Sequence, residues 1–252
     1  AWCALIRPDV FRSVVMMSAP FGGVPPLPFD TAGKPTPAGD PIHDALAALP
    51  RPRKHYQWHY STRGADADMH RAPQGVHDFL RAYYHHKSAD WRGNTPFPLK
   101  GWTAGELAKM PTYYIMDRDV GMAATVAPYM PSAAEIAANR WLTDAEMRVY
   151  SAEYARNGFQ GGLQWYRCST DPRLQTDLQI FSGRTIDVPS AFIAGRQDWG
   201  IQQRPGALER MHESACTRMT DFHLIDGAGH WVQQEQHERV SALLVDFIKR
   251  SA

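Results

Sequence analysis

The sequence predicts an α/β protein in which a mostly parallel sheet is interrupted by a helical insertion. Three short apolar runs, at 12–19, 190–195 and 221–226, have the composition of strands that are buried on both faces. Between about residues 42 and 183 this strand signal nearly vanishes, and helical patterns replace it. A sheet that is interrupted and then resumed is the simplest account of this order.

Start and stop signals predict the helices. Thr143 and Glu146 form a capping box for a helix over 144–157, and Gly158 ends that helix. A segment rich in proline and glycine, 22–41, predicts an extended loop. The other predicted helices lie at 1–7, 75–86, 162–168 and 207–213, and over about 17 residues that end near Arg250.

The composition argues against several classes of function. The chain has 252 residues, 44% of them hydrophobic, so it can bury a full core. Its formal net charge is +1 and no basic run stands out, which argues against a nucleic-acid or membrane partner. The three cysteines, Cys3, Cys168 and Cys216, lack paired spacing and indicate reduced thiols in a cytoplasmic protein. Because the sequence opens at Ala1 without a methionine, we expect it to be cut from a longer chain.

Two polar side chains follow neighbouring predicted strands. Asp198 comes shortly after Gly195, and His230 follows a glycine-rich turn after the next apolar run. Open α/β sheets place their sites at the carboxyl ends of strands, so we expect the Asp198 carboxylate within about 3.5 Å of one His230 ring nitrogen. An acid and the histidine that it orients are two of the three members of a hydrolytic triad. The spacing alone leaves open a surface Asp and a His on unrelated loops.

The predicted insertion contains two aromatic stretches, HYQWHY at 55–60 and GGLQWYR at 161–167. In a helical layer, such clusters usually belong to packing. The histidines of this region lack the further ligands that a zinc site needs, so no metal site is predicted. We expect four of them to lie at the solvated surface: His55, His59, His85 and His86.

In chain order, these motifs resemble those of the soluble epoxide hydrolases of the α/β-hydrolase fold. The stretch 18–21 (SAPF) resembles the passage from the family's core into its cap. Tyr56-Gln57 and 165–167 (WYR) resemble the two cap motifs that carry active-site tyrosines, while Asp198 and 229–231 (GHW) resemble the triad acid and base. The resemblance covers essentially the whole chain. The domains that it implies are a core at 1–24 and 184–252 and a helical cap at 25–183.

The resemblance implies hydrolysis of epoxides to vicinal diols through a covalent hydroxyalkyl ester. Tyr56 and Tyr166 would donate protons to the epoxide oxygen, since a tyrosine with the ordinary pKa of about 10 stays protonated at neutral pH. His230, oriented by Asp198, would activate the water that hydrolyses the ester. Both tyrosine hydroxyls are expected to face His230 from one cavity. The residues implied to bind substrate are Pro20, Phe21, Gln57, Trp58 and Trp231. The implied partners are a small apolar epoxide and water, with no cofactor and no metal.

One departure from the family pattern concerns the nucleophile. The nucleophilic Asp and the loop of the oxyanion hole belong to a part of the family pattern that comes before Ala1. We therefore expect a missing N-terminal segment to supply them, and we expect residues 1–252 to be inactive alone. Two alternatives stay open: a related hydrolase, such as a haloalkane or haloacid dehalogenase or an esterase, and a non-catalytic binding relative. Dehalogenases cradle a halide with tryptophan or other N–H donors, so the tyrosine pair favours the epoxide hydrolase.

Overall fold

The computed structural model describes residues 1–25, 27 and 41–251, so the predicted loop at 22–41 lies mostly outside the described residues. The chain divides into two units. We call Ala1–Asp40, Pro96–Lys100 and Arg173–Ala252 the sheet unit, and Pro41–Thr95 with Gly101–Pro172 the helical unit. The assignment of a core at 1–24 and 184–252 and a cap at 25–183 stays a prediction.

The helices and strands of both units are numbered in their order along the chain. They are α1 (Trp2–Ile6), β1 (Val14–Met17), α2 (Ile42–Ala47), β2 (Arg53–His55), α3 (Tyr56–Ser61), α4 (Ala65–His70), α5 (Gly75–Lys87), α6 (Ala104–Leu107), β3 (Ile115–Asp117), α7 (Met122–Val126), α8 (Ala133–Ala138), α9 (Asp144–Asn157), α10 (Gln160–Thr170), α11 (Pro172–Thr176), β4 (Ser190–Gly195), α12 (Ala207–Arg210), β5 (Met219–Ile225), α13 (Val232–Glu235) and α14 (His237–Ser251).

The three predicted strands form a parallel sheet in the order β1-β4-β5, which confirms the predicted α/β class. The middle strand, β4, is buried at every position, as its unbroken apolar sequence predicts. Its side chains alternate between two cores. Phe192 packs with Leu5 of α1 on one face, and Ile193 packs with Val240 of α14 on the other. Helices therefore cover both faces of the described sheet.

The helical unit confirms the strongest sequence signals and corrects a weaker one. The predicted capping box of Thr143 and Glu146 is present, and α9 ends at Gly158. The helix predicted at 162–168 is longer, since α10 begins at Gln160 and ends at Thr170. The near absence of strands in this region is wrong in one place, because β2 and β3 form a short antiparallel pair. Their three-residue length leaves too little alternation for a sequence pattern to detect.

None of the described helices is long and apolar enough to cross a membrane. The expectation that four histidines lie at the surface is wrong, because His55 is 2% exposed and His86 is fully buried. His59 and His85 are only partly exposed, with 10% of the His59 side chain accessible. His86 stacks on Tyr129, with ring centroids 3.5 Å apart. The aromatic packing of the helical unit therefore takes in histidine rings that polarity alone would assign to solvent.

We expect His86 to make the protein less stable in mild acid. Burial lowers the pKa of His86 from its ordinary value of 6.5 to about 3, with smaller effects of His85 and Lys87 in the same direction. As the pH falls below 6.5, the unfolded chain takes up a proton that the folded protein excludes, so stability decreases down to about pH 3. The loss should reach up to about 1.4 kcal/mol per pH unit.

Urea unfolding at pH 7 and pH 5 measures this effect. His86→Phe keeps a ring beside Tyr129 and should flatten the pH dependence, whereas His237→Phe, at an exposed position of α14, should leave it unchanged. Equal pH dependence in His86→Phe and in the unchanged protein would contradict the assignment.

Candidate active site

Asp198 and His230 form a hydrogen-bonded pair at the carboxyl edge of the parallel sheet. Asp198 follows β4 and His230 follows β5, the two strands being adjacent. His230 Nδ1 lies 3.2 Å from Asp198 Oδ1 and 3.1 Å from Oδ2. This separation lies within the distance that the sequence predicts. Because a carboxylate oxygen accepts hydrogen bonds, the proton between them belongs to Nδ1, and Nε2 is then the basic nitrogen of the neutral ring.

The two loops are held together by their backbones. Gln197 N donates to Ala228 O at 3.0 Å, and Arg196 N donates to Ile225 O at 2.9 Å. Gly195 lies where the chains cross, and a Cβ there would overlap the carbonyl oxygens of Ala228 and Gly229. Only glycine permits this approach, which brings the residue after β4 next to the residue after β5.

A second glycine shapes the carboxylate itself. Asp198 is 1% exposed and accepts a hydrogen bond from Gly200 N at 2.6 Å on Oδ1. The same bond caps the short 3₁₀ turn Trp199–Ile201. A Cβ on Gly200 would come within 2.8 Å of Asp198 Oδ1, so this position also requires a glycine. The hydrogen bond from Gly200 therefore fixes the buried Asp198 carboxylate independently of its contact with His230.

The His230 loop is fixed by two residues whose contacts the sequence analysis did not predict, Glu235 and Ser18. Glu235 accepts hydrogen bonds from the backbone N–H groups of Gly229 and Trp231, each at 3.0 Å. Ser18 Oγ donates to the carbonyl oxygen of His230 at 3.2 Å. Ser18 has a φ of 61°, in the left-handed region that residues other than glycine rarely adopt, and such positions cluster at functional sites. A carboxylate one turn after the GHW motif was the available signal for Glu235.

Three predicted substrate-binding residues lie in the sheet unit. The Trp231 ring is 4.9 Å from the His230 ring and meets it edge to face. Phe21 packs edge to face against Trp2 at 5.6 Å, and Pro20 beside it is half-buried. Trp231 therefore lies directly beside the candidate base, and Phe21 contributes to the packing against α1.

Tyr56 and Tyr166 come from distant parts of the sequence and lie together in the helical unit. Tyr56 begins α3, Tyr166 lies in α10, and their ring centroids are 5.8 Å apart. Tyr60 touches both rings, at 5.5 Å from Tyr56 and 4.9 Å from Tyr166. Burial raises the pKa of Tyr166 to about 12, so its hydroxyl keeps its proton at neutral pH.

The other two predicted residues of this unit lie beside Tyr56. Gln57 Nε2 donates to the Tyr56 hydroxyl at 3.3 Å. In this hydrogen bond the Tyr56 oxygen is the acceptor and the amide is the donor. Trp58 instead packs edge to face against His43 at 3.7 Å and His55 at 5.0 Å. Gln57 therefore orients the phenol, and Trp58 is part of the packing around β2.

The helix that carries Tyr166 is anchored by an aspartate of α4. Asp66 Oδ1 accepts a hydrogen bond of 2.6 Å from Phe159 N, directly before α10. Gly158, with a φ of 66°, leaves room for this contact, since a Cβ there would come within 2.8 Å of Asp66 Oδ1. At the other end of α10, Thr170 Oγ1 lies 2.7 Å from Ser61 Oγ of α3. These contacts fix the helices of the two tyrosines relative to each other.

No group of three or more histidine, cysteine, aspartate or glutamate side chains in the described ranges could hold a metal ion. The pairs at the two sites are suited to proton transfer: a buried carboxylate with an imidazole in the sheet unit, and two adjacent phenols in the helical unit.

Comparison with curated proteins finds epoxide hydrolases. No protein-family model matches the chain. Epoxide hydrolase A of Mycobacterium tuberculosis is 39% identical over 110 residues, which cover 43% of this chain and 32% of that protein. Epoxide hydrolase 1 of Siraitia grosvenorii is 32% identical over 115 residues, which cover 44% of this chain and 36% of that protein. The matched parts thus span about a third of the length of these relatives.

The fold matches over nearly the whole chain. The structure of an epoxide hydrolase from an endophytic Streptomyces matches with a TM-score of 0.69 and 26% identity, covering 98% of this chain and 63% of that one. Epoxide hydrolase A from Mycobacterium thermoresistibile matches with a TM-score of 0.64 and 27% identity, covering 98% and 64%. In sequence and fold the chain is similar to epoxide hydrolases of the α/β-hydrolase fold, and it spans less than two thirds of those structures.

Because the backbones cross so closely at Gly195, a methyl group added at this position should strongly reduce the stability of the protein. Gly195→Ala should lower the free energy of unfolding by about 1–3 kcal/mol, because the loops after β4 and β5 must move apart. Gly161→Ala, in α10, is the matched control, since a Cβ there meets nothing within 4 Å. Chemical denaturation measures both variants, and equal midpoints would contradict the close crossing.

Proposed function

We propose that this chain supplies the water-activating base and the proton-donating tyrosines of an enzyme that hydrolyses epoxides to vicinal diols. The observation that carries the proposal is the pair of phenols, Tyr56 and Tyr166, with ring centroids 5.8 Å apart in the helical unit. The Asp198–His230 pair in the sheet unit supplies the second requirement, a histidine whose Nδ1 is oriented by a buried carboxylate. The names of the similar proteins agree with this chemistry.

The first step opens the epoxide. A carboxylate oxygen attacks one ring carbon, the C–O bond on that carbon breaks, and a hydroxyalkyl ester forms. The departing oxygen would be a strongly basic alkoxide, so it takes a proton from Tyr56 or Tyr166 as the bond breaks. Gln57 donates to the Tyr56 hydroxyl, which fixes the orientation of this phenol. The apolar face of Trp231, beside His230, provides part of the surface for the substrate.

The second step hydrolyses the ester. His230 Nε2 removes a proton from water, and the resulting hydroxide equivalent attacks the ester carbonyl carbon. The ester bond breaks, the departing alkoxide oxygen takes the proton that the hydroxide equivalent brought to the carboxyl group, the diol leaves, and the carboxylate is regenerated. The proton that His230 accepted returns through solvent to the tyrosinate left by the first step. Asp198 stabilises the imidazolium that forms, since its carboxylate already accepts the Nδ1 hydrogen bond.

In this proposal, the attacking carboxylate is an Asp that precedes Ala1 in the intact enzyme. Among the described acids that follow a strand of the parallel sheet, Asp198 is engaged with His230, and Asp226 forms an exposed ion pair with Arg196 at 2.6 Å. Neither is available to attack a substrate carbon. Residues 1–252 alone are then unable to form the ester. The proposed substrate of the intact enzyme is a small apolar epoxide, and its proposed location is the cytoplasm.

The dehalogenase alternative requires N–H donors around a halide, whereas the helical unit supplies two phenols. An esterase would replace the attacking carboxylate by a serine and would need no proton donor for a strained ether. The tyrosine pair therefore favours the epoxide over both alternatives.

In the intact enzyme, Tyr56→Phe and Tyr166→Phe should each slow ester formation by roughly 10²-fold, because each removes a proton donor to the departing oxygen. Single-turnover kinetics with an aryl epoxide measure this step. Tyr150→Phe is the matched control, since this half-buried tyrosine of α9 packs against Tyr84, with ring centroids 5.6 Å apart. Rates equal to the unchanged enzyme in both test variants would leave the dehalogenase or the esterase as the better proposal.

In His230→Gln, the ester should form and persist, because no base activates the water. Mass spectrometry of the intact enzyme after incubation with epoxide should show an increase equal to the epoxide mass. Peptide mapping should place it on a segment that precedes Ala1, and residues 1–252 alone should remain unmodified. An ester on any residue of this chain would overturn the assignment of the nucleophile, and rapid turnover without an ester would overturn the two-step mechanism.

A further inference from the structure

Lys87 is a buried lysine at the end of α5, with only 4% of its surface exposed. Its ammonium nitrogen lies over three aromatic rings, 5.0 Å from the centroid of Tyr83, 5.6 Å from Tyr113 and 5.1 Å from Tyr114. It also donates to the Tyr83 hydroxyl at 3.3 Å. We call Tyr83, Tyr113 and Tyr114 the tyrosine cage. Burying an ammonium ion is costly, and the negative faces of three rings compensate for part of the lost hydration.

The tyrosine cage touches Tyr56 directly and is connected to Tyr166 through Tyr60. The Tyr114 ring lies 5.0 Å from the Tyr56 ring, and Tyr114 O accepts a hydrogen bond from Tyr56 N at 2.9 Å. Tyr83 accepts a hydrogen bond from the Tyr60 hydroxyl at 3.2 Å, and Tyr60 packs against both Tyr56 and Tyr166. One phenol, that of Tyr114, therefore links the ammonium group to Tyr56, and two phenols, those of Tyr83 and Tyr60, link it to Tyr166.

The charge of Lys87 acts on Tyr166 in a defined direction. Burial raises the pKa of Tyr166, Tyr83 and Tyr154 also raise it, and Lys87 lowers it. The ammonium thus keeps the phenol a stronger acid than its buried site alone would make it. The residues that face this region from the packed elements are Tyr56 and Tyr60 of α3, Tyr83, His86 and Lys87 of α5, Tyr113 and Tyr114 before β3, and Tyr154 of α9.

We propose that Lys87 is a positioning residue for Tyr56 and Tyr166, whose caged ammonium fixes the two phenols and stabilises the negative charge that develops as they donate to the substrate oxygen. Lys87 neither touches the substrate nor gives up a proton, since the transferred proton comes from a tyrosine. A charge held in place by packed rings needs no reorganisation when the epoxide opens, which makes it effective at the moment of reaction. The inference rests on the proposed function.

The test compares two substitutions in the intact enzyme. Lys87→Met removes the charge and keeps an unbranched side chain, whereas Lys87→Arg keeps the charge. Lys109→Met is the control, because Lys109 is a largely exposed lysine of the same unit that pairs with Glu106. Thermal melting establishes that each variant is folded. If Lys87→Met does not fold, Lys87→Gln replaces it with the same readouts.

Two readouts separate charge from shape. NMR of ring-labelled tyrosine, assigned with Tyr166→Phe, should show Tyr166 ionising at higher pH in Lys87→Met and near its original pH in Lys87→Arg. Single-turnover kinetics should show ester formation slowed by about tenfold in Lys87→Met, with ester hydrolysis unchanged. Lys87→Arg should recover most of the lost rate.

A folded Lys87→Met variant with unchanged Tyr166 ionisation and unchanged ester formation would overturn the proposal. Equal losses in Lys87→Met and Lys87→Arg would also overturn it, because shape rather than charge would then matter. The tyrosine titration needs no substrate. It therefore decides the role of Lys87 even if the unchanged enzyme fails to hydrolyse epoxides, a result that would instead end the proposed function.

Discussion

The candidate site of the sheet unit depends on the close backbone crossing at Gly195. The loops after β4 and β5 approach so closely that a side chain at this position would overlap the carbonyl oxygens of Ala228 and Gly229. The approach brings Asp198, which is 1% exposed, to 3.1 Å from His230 Nδ1. A buried carboxylate would be costly without partners, and here it accepts from both the imidazole and the backbone of Gly200. The pair is therefore fixed by backbone geometry, and the proposed reaction requires no rearrangement of this histidine.

The helical unit holds several phenols in a fixed array. Hydrogen bonds between its helices and aromatic packing keep these phenols in place. Asp66 anchors the start of α10 through Phe159 N, and Ser61 and Thr170 join α3 to its other end. The cost of burying polar rings is reduced because hydroxyls such as those of Tyr60 and Tyr83 bond to each other. The proposed chemistry thus draws on two kinds of rigidity, one from backbone crossings and one from an aromatic core.

The sequence predicted the sheet and the Asp198–His230 distance well because both depend on local patterns. A short apolar run that ends at glycine marks a buried parallel strand, and the residues after adjacent parallel strands must lie at one edge. The buried state of His55 and His86 was predicted wrongly, since burial of a polar ring depends on neighbours distant in sequence. For the same reason the burial of Lys87 was not predicted, since the tyrosine cage around it includes Tyr113 and Tyr114 from another segment. The hydrogen bonds from Gly229 N and Trp231 N to Glu235 have a local signal in the sequence, a carboxylate one turn after the histidine. That signal does not give the partners or the distances, which come from the structure.

The most direct test of the account is the position of the ring proton on His230. Nitrogen-15 NMR of histidine-labelled protein, assigned with His230→Gln, distinguishes the two tautomers at a pH where the ring is neutral. The account predicts a proton on Nδ1, held by Asp198, and an unprotonated Nε2; in Asp198→Asn this preference should be lost. A neutral His230 that carries its proton on Nε2 in the unchanged protein, or a tautomer that is unaffected by Asp198→Asn, would contradict the role of His230 as the base.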